Sequence, residues 1–383
     1  MKLDNNQRAF FELLRAGLWS GQRPVQELKC LKVQGSVDWM KVYQLAQEQS
    51  VQGIVLQGVE ELRANNIELN IPKVLLLQWI GEVQMLEQRN KEMNAFIAEL
   101  IEKLRKNDIY AILVKGQGIA QCYEKPLCRT SGDVDLLLSK DNYEKAKIFI
   151  QPMGVLTEPE EANMKHLAIQ IEQWSVELHG TLRGSITRID RVIDEVQNDV
   201  FFGGNVRSWQ NGKIQVFLPA PNEDVFFVFA HILQHYYFEG IGLRQICDWC
   251  RLLYTYKESL NHKLLESRLL KAGIMTDWKA FGAFAVDYLG MPVEAMPLLD
   301  SSIVKKFKRK ADRIFEFVME SGNFGHNRDI GYKQKYPFVI RYAMSFWLYT
   351  KLAMKRFAIS PRNAIMAWWT IVKMGANAAA KAI

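Results

Sequence analysis

The chain has 383 residues, 49% of them hydrophobic and 24% charged, with 24 glycines and 11 prolines. Its length suggests two or three domains, and its composition excludes general disorder, collagen-like chains and long coiled coils. The formal charge of +7 is uneven: from Ser301 onward sixteen Lys and Arg face four Asp and Glu, so this last fifth is +12 and the rest −5. Such a tail is expected to face an anionic partner, whether a membrane surface, RNA or polyphosphate.

The segment Met1–Arg8 lacks the apolar core of a secretory leader, and no run of about 18 uncharged apolar residues marks a membrane span. Five scattered cysteines, Cys30, Cys122, Cys128, Cys247 and Cys250, do not resemble a disulfide framework. A cytoplasmic protein is expected, with the basic tail allowing a peripheral place at the inner face of a membrane.

The first hundred residues read as helices. Asn5 to Ala16 puts Phe10, Phe11, Leu13 and Leu14 at near-helical spacing. Asp38 is placed to cap a helix reaching Gln49, and Pro72 opens a long apolar-periodic stretch through Leu104. The texture changes near Asn107. Ile109 to Val114 reads as a strand, Lys115-Gly116-Gln117-Gly118 as a tight turn, and Ile119 to Tyr123 as a short helix. Asp133 to Leu138 is a second strand, followed by a helix to Ile150 with Asp141 in the capping position. His166 to Ile171 and Ser175 to Thr181 form a hairpin joined by Glu172-Gln173-Trp174, and Lys213 to Leu218 is a further strand. Pro219 to Asp224 marks a break, with Asn222 as cap and Glu223 and Asp224 complementing a helix dipole. Helix then continues from Val225 to about Leu289, followed by a basic helix over Asp300–Ser321. A Gly-, Asn- and Lys-rich loop reaches Tyr336, and two apolar helices split by Ser360-Pro361 follow. The fold class is α+β: a small mixed sheet embedded between N-terminal and C-terminal helical regions. Divisions are expected at 1–106, 107–220, 221–300 and 301–383.

Residues two apart on a strand share a face, so Asp133 and Asp135 project together while Val134 and Leu136 turn to the core. Two solvated acids at a strand start would explain them. Carboxylates this close repel, however, and persist most readily beside cations. Oxygen-only ligands suit Mg²⁺ or Mn²⁺, typically with phosphates. The turn at Gly116 and Gly118 lets backbone approach an anion closely. Glu177 lies on the later hairpin between core-like Val176 and Leu178. If its strand lies beside that of Asp133, three carboxylates meet, as two-metal phosphoryl transfer requires, with Glu177 also placed as a base. His179 shares the face of Glu177, to touch substrate or hold that carboxylate. Lys115 could meet a phosphate as a point charge. Arg129 could pair bidentately with an acid or a phosphate, or form a structural salt bridge. His231 and His235 share a helix face without the glutamate of a zinc protease, so they are expected to border the nucleotide or acceptor pocket or to cap an interdomain contact, and not to hold zinc. Arg244 and Asp248, four apart, are expected to pair. Cys247 and Cys250 are expected to be buried thiols.

Several stretches carry a family resemblance: Asp38-Trp39 with Leu45-Ala46, Leu113 to Gly116, Tyr123 with Pro126, and Arg129 to Leu138. Glu177-Leu178-His179 and His231 to His235 with Leu243-Arg244 and Asp248 complete it. Over residues 1 to 260 the chain resembles a family of uncharacterised bacterial nucleotidyltransferases within the DNA polymerase β-like superfamily. The resemblance implies transfer of NMP from an NTP to a small-molecule, glycan or macromolecular acceptor. It implies Mg²⁺ or Mn²⁺ on Asp133, Asp135 and Glu177, Gly116 facing the triphosphate, and a setting in polysaccharide biosynthesis. Three departures stand out: Gly116-Gln117-Gly118 where Gly-Gly or Gly-Ser is usual, a longer gap to Asp133, and Glu in place of Asp at the third position. They leave open a binding or assembly protein of this fold with weak catalysis. A nucleic-acid-modifying transferase using Lys305 to Lys310 is a further alternative. The aromatic tail Phe338 to Met374, with Lys351, Lys355, Arg356, Arg362 and Lys373, either packs on the protein's own helices or lies on an anionic membrane.

Overall fold

The computed structural model describes residues 3–22, 36–157, 166–322 and 338–382. Cys30 and nearly all of the loop expected up to Tyr336 lie outside the described residues.

Among the described residues, four helices precede the sheet: α1 (Asn5–Leu18), α2 (Trp39–Glu48), α3 (Gln52–Ala64) and α4 (Lys73–Lys106). Asp4 and Gln7 form a capping box on α1, and the Asp38 side chain accepts from the backbone of Lys41 as expected. The sequence reading missed α3, because Val51 at its start makes no side-chain cap. Helices α1 and α3 touch backbone to backbone: a Cβ on Gly17 would collide with the Ile54 carbonyl, and one on Gly58 with that of Leu13.

The sheet holds β1 (Ala111–Val114), β2 (Asp133–Leu138), β3 (Val155–Leu156), β4 (His166–Ile171) and β5 (Trp174–His179), in the order β1-β2-β5-β4-β3. Among the described strands of this sheet only the β2–β5 pair is parallel. Between these strands lie the short α5 (Gly116–Ala120) and α6 (Lys140–Ile150). Asp141 sits in the first turn of α6 and is not its cap, which is Ser139. The expected hairpin forms with a shorter turn, because Trp174 already pairs with Ile171.

After α7 (Thr187–Phe202) a separate hairpin joins β6 (Val206–Asn211) to β7 (Ile214–Pro219). Strand β6 escaped the sequence reading because Trp209 is its one half-buried apolar residue, and a lone apolar side chain among polar or exposed ones offers no apolar stripe. The helical body follows as α8 (Pro221–Phe238), α9 (Leu243–Tyr256), α10 (His262–Ala272), α11 (Met275–Leu289) and α12 (Ser301–Ser321). Ala220 occupies the cap position of α8, and Asn222 instead accepts from the Asn261 backbone at 2.7 Å. The chain's described part closes with α13 (Phe338–Phe357) and α14 (Pro361–Ala382).

Two apolar clusters hold this together. One lies between the sheet, α4 and α6 and includes Met93, Ile97, Leu136, Tyr143 and Val176. The larger one runs through the N-terminal helices and α7 to α12. Helices from both ends of the chain therefore share a core: the Trp19 indole donates to the Leu289 carbonyl at 2.7 Å, and Arg15 donates to the carbonyls of Asp287 and Tyr288. Cys122, Cys128, Cys247 and Cys250 are buried free thiols. Among the described residues no helix is long and apolar enough to cross a membrane.

Candidate active site

The parallel pairing of β2 and β5 sets Asp135 directly opposite Glu177. One carboxylate oxygen each from Asp133, Asp135 and Glu177 then falls within 4.8 Å of the others. Mutual repulsion has a visible consequence: the Asp133 carboxyl is pushed above its ordinary range, first by Asp135 and then by burial. Lys115 meets this charge from the end of β1, its Nζ 2.7 Å from Asp135 Oδ1. Burial alone would lower the Lys115 pKa, but Asp135, Asp133 and Glu177 together raise it. Lys115 holds this place at φ +57° and ψ −148°, a strained region for a side chain of its size. Gly116 follows at φ +40°, where a Cβ would lie 3.4 Å from the Asp133 carbonyl oxygen.

Two histidines brace the carboxylates. His179 Nε2 lies 2.8 Å from Asp135 Oδ1 and 3.5 Å from Glu177 Oε2. His166, opposite His179 in the β4–β5 register, places its Nε2 3.2 Å from Glu177 Oε2. Burial pushes the Glu177 carboxyl up, but hydrogen bonds from His166 and His179 and the charge of Lys115 hold it below the usual carboxylate range. His179, by contrast, is raised: burial opposes its protonation, and Asp135 and Glu177 outweigh it.

Helices α8 and α9 form the facing wall. His231 and His235 approach to 2.9 Å between their Nε2 atoms. Burial first, then Lys115 and His235, hold His231 well below the ordinary histidine pKa and therefore neutral. A cavity of about 360 Å³ lies between this wall and the sheet, lined by Lys115, Gly116, the three carboxylates and Arg244, among others. A second cavity of about 180 Å³ opens beyond Glu177, where His166, His179 and Arg183 face Ile189 and Phe227.

Two sequence expectations change here, for the Arg244–Asp248 pair and for Gly118, and Arg129 takes the structural salt bridge that is one of its two readings. Arg129 does not pair with Asp133 or Asp135: its Nε and Nη2 hold Asp248 at 3.0 and 2.6 Å, and the Tyr123 hydroxyl adds a bond at 2.8 Å. The turn at Pro126–Cys128 ends at Arg129, and both members of the ion pair are buried. Asp248 is thus claimed from outside its own helix, while Arg244 donates to the Thr130 carbonyl at 3.0 Å. Gly118 faces away from the cavity, and a Cβ there would lie 2.8 Å from Leu218 Cδ2 on β7.

The donor set suits a hard divalent cation. It is oxygen-only, it is crowded enough to raise Asp133, and a single ammonium opposes it. Enzymes that move nucleotidyl groups are the class to which such a sheet and site correspond. The chain belongs to one family of that class, described as an uncharacterised nucleotidyltransferase, which it matches over residues 35–288. Nucleotidyl transfer is the general activity of such a family. No curated protein matches the chain.

His166 was not among the residues singled out from the sequence. The signal lay in the turn: Glu172 adopts φ +52°, so the hairpin turns over two residues, and the register then carries His166 opposite His179.

Proposed function

We propose that the chain catalyses divalent-cation-dependent transfer of a nucleotidyl group from an NTP to a hydroxyl-bearing acceptor, with release of pyrophosphate. The observation that carries this reading is the meeting of Asp133, Asp135 and Glu177 on two parallel strands at the floor of a cavity. These three residues would hold Mg²⁺ or Mn²⁺, which supplies charge neutralisation on the phosphates and activation of the attacking oxygen.

The chain's own groups then have distinct tasks. Gly116 lets the backbone come close to the triphosphate. Lys115, whose Nζ lies on Asp135 at the cavity floor, would meet a phosphate oxygen there as a point charge. Neutral His231 borders the nucleotide without adding charge. His166 and His179 orient the carboxylates. Glu177, directly opposite Asp135 and bonded to His166 and His179, serves as a cation ligand. Arg129 acts through Asp248, fastening the Pro126–Cys128 turn ahead of β2 to α9, and is a positioning residue. The acceptor enters from the second cavity, whose wall joins the apolar Leu182, Ile186 and Ile189 to the polar Thr181 and Gln234. A glycan or a small alcohol with an apolar face would suit that lining.

Calorimetric titration with ATP, GTP, CTP and UTP, with and without Mg²⁺, tests the reading on wild type and on Asp133→Asn/Asp135→Asn. One NTP should bind in a Mg²⁺-dependent manner, and the double variant should weaken it by about a hundredfold or more while remaining folded. If folded wild type binds no NTP, or the double variant binds as well, the chain is a binding or assembly protein that keeps the fold without the chemistry.

A further inference from the structure

The hairpin of α13 and α14 differs from the rest of the molecule in both charge and exposure. Residues 338–382 contain seven Lys and Arg and no Asp or Glu, so they alone account for the chain's +7. On α13, Ile340, Met344, Trp347, Lys351 and Met354 follow one another at helical spacing, and all are exposed. On α14, Arg362, Ile365, Trp369 and Lys373 form a second exposed stripe. Trp347 is 67% exposed and Trp369 52%. Between the helices an apolar cleft of about 220 Å³ is lined by Ala353, Met354, Phe357, Ile365 and Trp368. Soluble surfaces seldom carry so many contiguous large apolar side chains without a partner.

The base of the hairpin is firmly held. Arg356, 1% exposed, donates to the Tyr237 carbonyl at 2.6 Å and stacks its guanidinium over Phe317 at 4.9 Å. Lys310 donates to the Ile359 carbonyl at 2.6 Å, and Asn363 donates to Asp277 at 2.8 Å. The bend is therefore part of the folded body, while the two stripes beyond it face outward. Tyr237 lies on α8, the helix that carries His231 and His235, so whatever the hairpin rests on is oriented relative to the cavity.

We propose that this hairpin docks the protein on an anionic membrane surface. It would lie in the headgroup layer with Trp347, Met354, Ile365 and Trp369 inserted and the lysines meeting lipid phosphates and carboxylates. No described helix is apolar enough to span. The mix of Ile and Met with Trp and Lys favours lipid over RNA, since aliphatic groups gain nothing from stacked bases or a phosphate backbone. It also favours lipid over a second copy, since two faces each carrying this basicity repel. The proposal stands apart from the nucleotidyl-transfer reading.

Co-sedimentation of the full chain with vesicles tests it, comparing pure phosphatidylcholine with vesicles of about 30% phosphatidylserine. Wild type should bind the anionic vesicles, bind the neutral ones at least about tenfold more weakly, and be released by salt. Trp347→Ser/Trp369→Ser should reduce binding about tenfold or more, and Lys351→Gln/Lys373→Gln by a similar factor at low salt. Both variants should bind NTP as wild type does, which separates this test from that of the catalytic reading. Wild type that stays in the supernatant, or variants that sediment unchanged, overturn the proposal. So does a concentration-dependent dimer that the Trp variant dissolves, or RNA binding without vesicle binding, each of which gives the face another occupant.

Discussion

The floor of the cavity and the C-terminal hairpin treat charge in opposite ways. In the site, ionised groups answer one another within the fold: Lys115 and His179 on Asp135, His166 on Glu177, Arg129 on Asp248. Asp133 is the exception, since among the described residues no hydrogen bond or ion pair reaches its carboxylate. In the hairpin the cations have no carboxylates of their own stretch, and many large apolar groups lie outside while Leu352 and Ile359 are buried. Burying a charge is costly unless it is paired, so the site's geometry is over-determined and leaves one carboxylate open to a ligand. Beyond the buried Arg356 at its base, the hairpin's described cations are exposed and bear no such cost, and its composition reflects what it touches and not what it contains.

That contrast predicts where substitutions hurt. Arg129→Ala strands Asp248 in the interior and should cost about 3–5 kcal/mol in denaturant unfolding, with Arg129→Lys only partly restoring it because the fork is lost. A loss below about 1 kcal/mol would mean that the site's charges are not held as tightly as the geometry implies. The next effect lies at the joint between the two regions. Burial raises Asp277 to about 6 against the bonds from Tyr237, Asn363 and Ser360. A raised carboxyl stabilises the fold below its unfolded pKa, and that contribution is lost as pH rises through about 6. Unfolding free energies taken between pH 4 and 7 should therefore fall by up to about 3 kcal/mol through this group. Asp277→Asn should flatten the curve in part, because Asp224, also raised to about 6 by burial despite Arg207, still titrates there. Third, Lys115→Met removes the ammonium from Asp135 and should cost about 1–2 kcal/mol without cations. Added Mg²⁺ should raise the melting temperature of this variant more than that of wild type. Equal shifts would place the cation elsewhere.

The parts that local chemistry determines were legible in the sequence. Alternation placed β2 over Asp133–Leu138, and Asp300 and Asp38 marked their helix starts. The order of helical, mixed and helical regions was legible too. Long-range partners were not. Arg129 and Asp248 are 119 residues apart, and nothing local says that Asp248 faces Arg129 more closely than Arg244. The meeting of Glu177 with Asp135 needed β2 and β5 to be parallel neighbours, which the sequence could pose only as a condition. Asp141 and Asn222 look like caps by type, but each chain segment enters its helix a residue or two earlier.

The smallest predicted effect discriminates most sharply between the two regions. Trp347 and Trp369 are large apolar groups, and removing one from a core costs about 3–5 kcal/mol. On the hairpin, Trp347→Ser and Trp369→Ser should each change stability by less than about 0.5 kcal/mol, because neither side chain is buried in the free protein. Leu352→Ala, on the buried face of the same helix, should cost several times more. If both kinds of substitution cost the same, the outer stripe is packed against something in solution. The hairpin would then belong with the core and not with a surface awaiting lipid. If the costs separate as stated, the apolar area of the stripe contributes nothing to folding and is free to act only on binding.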